Sequence, residues 1–152
     1  MTPAIKALKK ARVEFEVLQF SHDPNDNDFA NEAVNKLGLA QQQVFKTLLL
    51  SVDGNLHVAI SPATKQVDLK AFAKACGGKK AQLAEQSLAE KSSGYVIGGI
   101  SPFGQKKRLP TWVHASAFEY QKVYVSAGRR GLEVAVPPEI FEQLCDAKRS
   151  HF

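Results

Sequence analysis

Cysteine, methionine and tryptophan are scarce in this chain, at two, one and one among 152 residues. Cys76 and Cys145 lie far apart and form neither a CxxC site nor a disulfide framework. They read as two small buried thiols in a reducing compartment. No run of residues approaches the ~20 apolar positions that a membrane-spanning helix needs. The opening Met1-Thr2-Pro3-Ala4-Ile5-Lys6 lacks the apolar core of a secretory signal. These absences point to a soluble, cytoplasmic protein with no membrane partner. The four histidines, His22, His57, His114 and His151, show no metal-ligand spacing, and no metal or cofactor is expected. There is no GxSxG elbow for an α/β-hydrolase triad, and no GxGxxG or Walker loop for nucleotide phosphates. Repeats, low-complexity tracts and linkers are also missing.

What is present is an ordinary globular composition, 44% hydrophobic and 23% charged. A chain of this length buries about two-thirds of its unfolded surface and needs no staple to fold. One domain over residues 1–152 is expected. The net charge of +5 permits a polyanionic partner without requiring one.

Thr2 and Pro3 predict a helix cap and first turn, with Ile5 and Leu8 on the inner face. Val13 to Phe20 alternates as a half-buried strand, and 21–28 is a polar loop. A helix follows over Phe29–Leu37, capped by Asp28 and ended at Gly38. Val44–Val52 and Asn55–Ile60 flank Asp53-Gly54, a strong hairpin signal. Asp68 caps a helix ended by Gly77-Gly78, and another helix covers about Ala84–Lys91. Tyr95–Ile97, Trp112-Val113, Lys122–Val125 and Leu132–Val136 read as strands. Pro137-Pro138 then starts a last helix. The order lacks a βαβ rhythm, so a doubly wound parallel sheet is not expected. The expected fold is mixed α/β, with a barrel-like, mainly antiparallel sheet of about seven strands flanked by helices.

Two features break the pattern. Lys46 stands inside Val44-Phe45-Lys46-Thr47-Leu48-Leu49-Leu50, apolar on both faces, as in a central strand. A lysine there is costly to desolvate unless a cavity or an anion receives it. Two readings fit, a strand-end lysine snorkelling to water or a cation on the floor of a pocket. The second feature is Gly98-Gly99-Ile100-Ser101-Pro102-Phe103-Gly104, with three glycines and a proline in seven residues. Such backbone can approach a ligand closely and offer N–H groups to an anion or a carbonyl oxygen, or it can be a plain wide turn. Lys106-Lys107-Arg108 and Arg129-Arg130 are two basic clusters suited to phosphate contact or simply to solvation.

With Phe45-Lys46-Thr47-Leu48 and the glycine-serine-proline segment through Lys107, the chain resembles the YbaK family. Thr2-Pro3-Ala4-Ile5, His22-Asp23-Pro24 and Tyr124 to Leu132 fit as well, so the likeness runs the length of the chain. The family is similar to the editing domain of bacterial prolyl-tRNA synthetase. The resemblance implies the same fold and a trans-acting deacylase of Cys-tRNA(Pro). Its partners would be the acceptor end of tRNA(Pro) and prolyl-tRNA synthetase, in a possible ternary complex. It matches Lys46 to the family's essential lysine. It matches Phe20, Phe29 and Thr47 to pocket positions, although Phe20 stands where relatives often have tyrosine and so lacks a hydroxyl. Gly98 to Pro102 matches the loop that receives the aminoacyl ester and terminal adenosine. Ser126 matches a polar pocket position beside Gly128, and Glu133 stands where an acid is common. Alanine-editing relatives carry a histidine in the segment equivalent to Ser126-Ala127-Gly128-Arg129; its absence here favours cysteine. In the mechanism so implied, the substrate's own thiol attacks the ester. Lys46 supplies charge, and N–H groups at Gly99, Ile100 and Ser101 stabilise the oxyanion. Lys106, Lys107, Arg108, Arg129 and Arg130 would contact RNA phosphates. Two alternatives remain at this stage: a non-catalytic module that binds an aminoacyl-tRNA or nucleotide end, and a hydrolase of another small ester.

Overall fold

The computed structural model describes residues 1–152. It has five α-helices: α1 (Pro3–Lys10), α2 (Phe29–Leu37), α3 (Leu69–Ala75), α4 (Gln86–Ser93) and α5 (Glu139–Cys145). The strands are β1 (Glu16–Gln19), β2 (Phe45–Val52), β3 (Asn55–Pro62), β4 (Ala81–Leu83), β5 (Thr111–His114), β6 (Val123–Arg129), β7 (Leu132–Val136) and β8 (Lys148–Ser150). They form a three-stranded sheet, β1-β7-β6, and a five-stranded sheet, β4-β2-β3-β5-β8. Four strand pairings are antiparallel, while β3-β5 and β5-β8 are parallel.

The barrel expectation is corrected by this topology. A single parallel bridge, Val44 to Tyr124, links the two sheets, so no closed ring of strands exists. The strand expected at Tyr95–Ile97 is absent too. Its β-favouring residues are committed elsewhere: the Tyr95 hydroxyl donates to Phe103 O at 2.7 Å, and Ile97 N–H donates to Glu90 Oε2 at 2.8 Å.

Local signals placed most elements. The Thr2 side chain accepts from Ile5 N–H, Asp68 accepts from Ala71 N–H, and Gly38 ends α2 in the left-handed conformation. The main core gathers Leu8, Phe45, Phe103, Val125, Val134 and Phe141 between the sheets. Each fully buried large side chain stabilises the fold by about 2–3 kcal/mol. On β7 the alternation divides the labour. Leu132, Val134 and Val136 face that core, while Ala135 belongs to a smaller cluster with Val34 of α2, Val44 and Tyr124. Glu133 shares the Ala135 face and therefore points toward α2.

Candidate active site

A cavity of about 270 Å³ lies where the two sheets and α2 meet. Its form follows from the brevity of β4, which pairs with β2 only from Leu50 to Val52. The first half of β2 thus has a strand neighbour on the β3 side alone, which corrects the picture of Lys46 on a fully central strand. Five consecutive residues, Val44 to Leu48, line the cavity along this stretch. The opposite walls are Asp28 just before α2 with Phe29 and Ala30 of its first turn, the Ile97-Gly98 turn with Ile100, and Ser126 and Glu133.

Of the residues singled out in the sequence, Lys46, Phe29, Thr47, Gly98, Ile100, Ser126 and Glu133 line this one cavity. Lys46 is half-buried. Burial pulls its pKa below the ordinary lysine value; the Asp28 carboxylate opposes this and the Lys65 cation adds to it. Ser126 and Glu133 are direct cross-strand partners on β6 and β7. Burial pushes the Glu133 carboxyl up to about 8, so at neutral pH it is mostly protonated and adds little negative charge beside Lys46. The Thr47 hydroxyl is buried without a partner in the protein.

The other expected residues do not line this cavity. Gly99 presses on the backbone of Arg129, where a Cβ would come within 2.7 Å. Its N–H donates to Val96 O at 2.9 Å and is not available as an oxyanion donor, which corrects that expectation. The N–H groups of Gly98, Ile100 and Ser101 donate to no partner in the protein. Ser101 is fully buried, and its hydroxyl accepts from Phe103 N–H. Pro102 and Arg108 line a separate cavity beside Cys145. Gly128 packs against Tyr95 and Thr2. Phe20 N–H donates to Gly131 O, tying β1 to the β6–β7 turn. Lys106, Lys107, Arg108 and Arg129 are solvent-exposed.

Sequence reading missed Glu32. Its carboxylate is buried and accepts from His22 Nδ1 at 2.6 Å, Asp23 N–H at 2.8 Å and Lys36 Nζ at 2.8 Å. Lys36 also donates to Ser21 O at 2.6 Å, so α2 holds the 21–23 segment at several points. Burial alone would raise the Glu32 pKa, but Asp23 N–H, Lys36 and His22 outweigh it and hold it at about 2. The available signal was the Glu32–Lys36 spacing of four on a helix.

The aminoacyl-tRNA editing domain model matches residues 25–144. The chain belongs to that family, whose chemistry is removal of an amino acid from tRNA. Among relatives, it is 33% identical over 150 residues to EbsC of Enterococcus faecalis, named as a candidate Cys-tRNA(Pro)/Cys-tRNA(Cys) deacylase. That match spans 97% of this chain and 90% of EbsC. It is also 35% identical over 103 residues to the multifunctional Ser/Thr-tRNA deacylase ProXp-y of Escherichia coli K12, covering 64% of this chain and 62% of that one. A solved candidate trans-editing enzyme for prolyl tRNA synthetase superposes with a TM-score of 0.83 at 20% identity, covering 99% of this chain and 97% of that one. The latter likeness carries the editing-domain fold alone.

Glu133 gives a pH dependence of stability. Between about 4.5 and about 8 the unfolded chain has released this proton while the folded chain keeps it. Stability is therefore expected to fall as pH rises through that window. Denaturant midpoints measured from pH 5 to 9 check this: Glu133→Gln should flatten the alkaline fall, and an equal fall in both proteins would refute the assignment.

Proposed function

We propose that this editing domain acts as a free-standing deacylase that clears Cys-tRNA(Pro), with the terminal aminoacyl-ribose in the Lys46–Gly98 cavity. The observation that carries the reading is the meeting, in one small cavity, of a half-buried lysine and two residues with unpartnered backbone N–H groups, Gly98 and Ile100. Neither protein thiol lines the cavity, and no histidine stands there to activate Thr47 or Ser126. As the resemblance to the YbaK family implies, the nucleophile in this reading is supplied by the substrate. The cysteinyl sulfur attacks its own carbonyl carbon, the ester C–O bond breaks, and the ribose oxygen takes the proton that the thiol gives up. The product is a cyclic thiolactone and free tRNA. Such a ring closure gains the advantage of an intramolecular reaction once the rotamer is held. Lys46 steadies the negative charge that builds on the carbonyl oxygen, or the adjoining phosphate, while Gly98 and Ile100 N–H face the same charge.

Lys106, Lys107, Arg108 and Arg129 are our candidates for acceptor-stem phosphates. Selection of proline tRNA is assigned to a ternary complex with prolyl-tRNA synthetase, and the reaction to the cytoplasm. Deacylation of labelled tRNA(Pro) tests the chemistry. Cys-tRNA(Pro) is expected to be cleared at least tenfold faster than Ser-tRNA(Pro), because a hydroxyl is the poorer nucleophile. Equal rates for the two esters would remove the thiol from the mechanism.

A further inference from the structure

The two peptide groups flanking Ile97 are each held by a charged side chain. Glu90 of α4 accepts the Ile97 N–H at 2.8 Å. Arg130, in the turn between β6 and β7, donates its Nε–H to Ile97 O at 2.8 Å. The Arg130 guanidinium also lies 4.9 Å from the centre of the Phe29 ring. That ring in turn packs so tightly on Gly98 that a Cβ there would approach within 2.6 Å. Arg130, itself solvent-exposed and outside the cavity lining, thus ties the β6–β7 turn to two of the cavity's walls, the glycine segment and Phe29 of α2.

In a planar trans peptide the carbonyl of one residue and the N–H of the next point in opposite directions. Arg130 takes the Ile97 carbonyl, so the Gly98 N–H, which has no partner in the protein, is turned the other way. Gly98 lines the cavity. We propose that Arg130 is a positioning residue that aims the Gly98 N–H at the carbonyl oxygen of the substrate ester. This reading rests on the deacylase function proposed above. It replaces the sequence-level expectation that Arg130 serves RNA phosphates.

Two effects act through the same bond. The guanidinium fixes the tilt of the peptide plane, and its charge polarises the amide, making the N–H a stronger donor. Lysine cannot reproduce the arrangement, because it lacks a planar fork that donates to Ile97 O while lying over Phe29. A phosphate contact, by contrast, needs only a cation, and lysine would supply it.

The test compares wild type, Arg130→Lys and Arg130→Ala on Cys-tRNA(Pro) and on 3′-O-cysteinyl-adenosine, which carries no phosphate. Both variants are expected to lose about tenfold to a hundredfold in kcat on both esters, with KM nearly unchanged. The Gly98 amide resonance should move in both variants. Wild-type kcat in Arg130→Lys, a loss confined to the tRNA substrate, or an unmoved Gly98 amide would each overturn the proposal. If wild-type protein turned over neither ester, the functional reading would fall by itself, and the Gly98 amide would still decide whether Arg130 holds the peptide.

Discussion

Replacing Lys46 by methionine is expected to lower kcat/KM for aminoacyl-tRNA deacylation by roughly a hundredfold to a thousandfold. A cation about 4 Å from a developing oxyanion is worth up to about 4 kcal/mol at an effective dielectric near 20, which corresponds to about a thousandfold in rate. The fold should not suffer. Burial lowers the Lys46 pKa, so the folded chain disfavours the charge that the unfolded chain carries freely. Methionine fills similar space without that penalty, and the thermal midpoint should stay level or rise. Lys46→Arg keeps a charge but not its shape, and partial activity is expected. The wild-type rate should also decline at a lower alkaline pH than an ordinary lysine would dictate. Full activity in Lys46→Met would end the proposed role, and a midpoint several degrees lower would mark the residue as structural instead.

The second large effect concerns Glu32. Glu32→Ala removes the acceptor of three hydrogen bonds at once. Lys36 and His22 are partly exposed and can regain water, so the loss sits below that of a sealed ion pair. About 2–3 kcal/mol is expected, or a midpoint about 5–10 °C lower for a chain of this size. The acid limb provides an independent check. A carboxyl held at about 2 in the fold and near 4.5 when unfolded contributes stability that is complete above pH 4.5 and fades as pH drops toward 2. Acid titration followed by circular dichroism should show this loss in wild type and a shallower one in Glu32→Ala. Identical acid curves would reject the assignment.

The elements that could be read directly from the sequence were those with local causes. Thr2, Asp68, Gly38 and the Asp53-Gly54 hairpin act on backbone within a few residues, and their elements fall where expected. Non-local pairing was hidden. Polar Lys148–Ser150 becomes β8 only because β5 lies parallel to it, and Ala81–Leu83 becomes β4 only against the end of β2. Tyr95–Ile97 has strand composition, but a hydrogen bond to Glu90 and another from Arg130 hold Ile97 in a turn. At the site, Lys46 and the glycines were visible because each breaks a pattern. Which of those glycines offers its N–H was not visible. Gly99 spends its own on Val96 three residues back, whereas Gly98 keeps its own free, and the turn that sets this difference is held in part by Arg130, distant in sequence.

The shortness of β4 has a corollary for how the cleft could be lost. Ala84 N–H already donates to Leu49 O, one rung past the last paired residue, before the chain turns into α4. Two or three more rungs would zip the sheet along Leu48 and Lys46 and seal the hollow. A change confined to the 84–86 connection is therefore enough to close the cleft, without touching any reactive group.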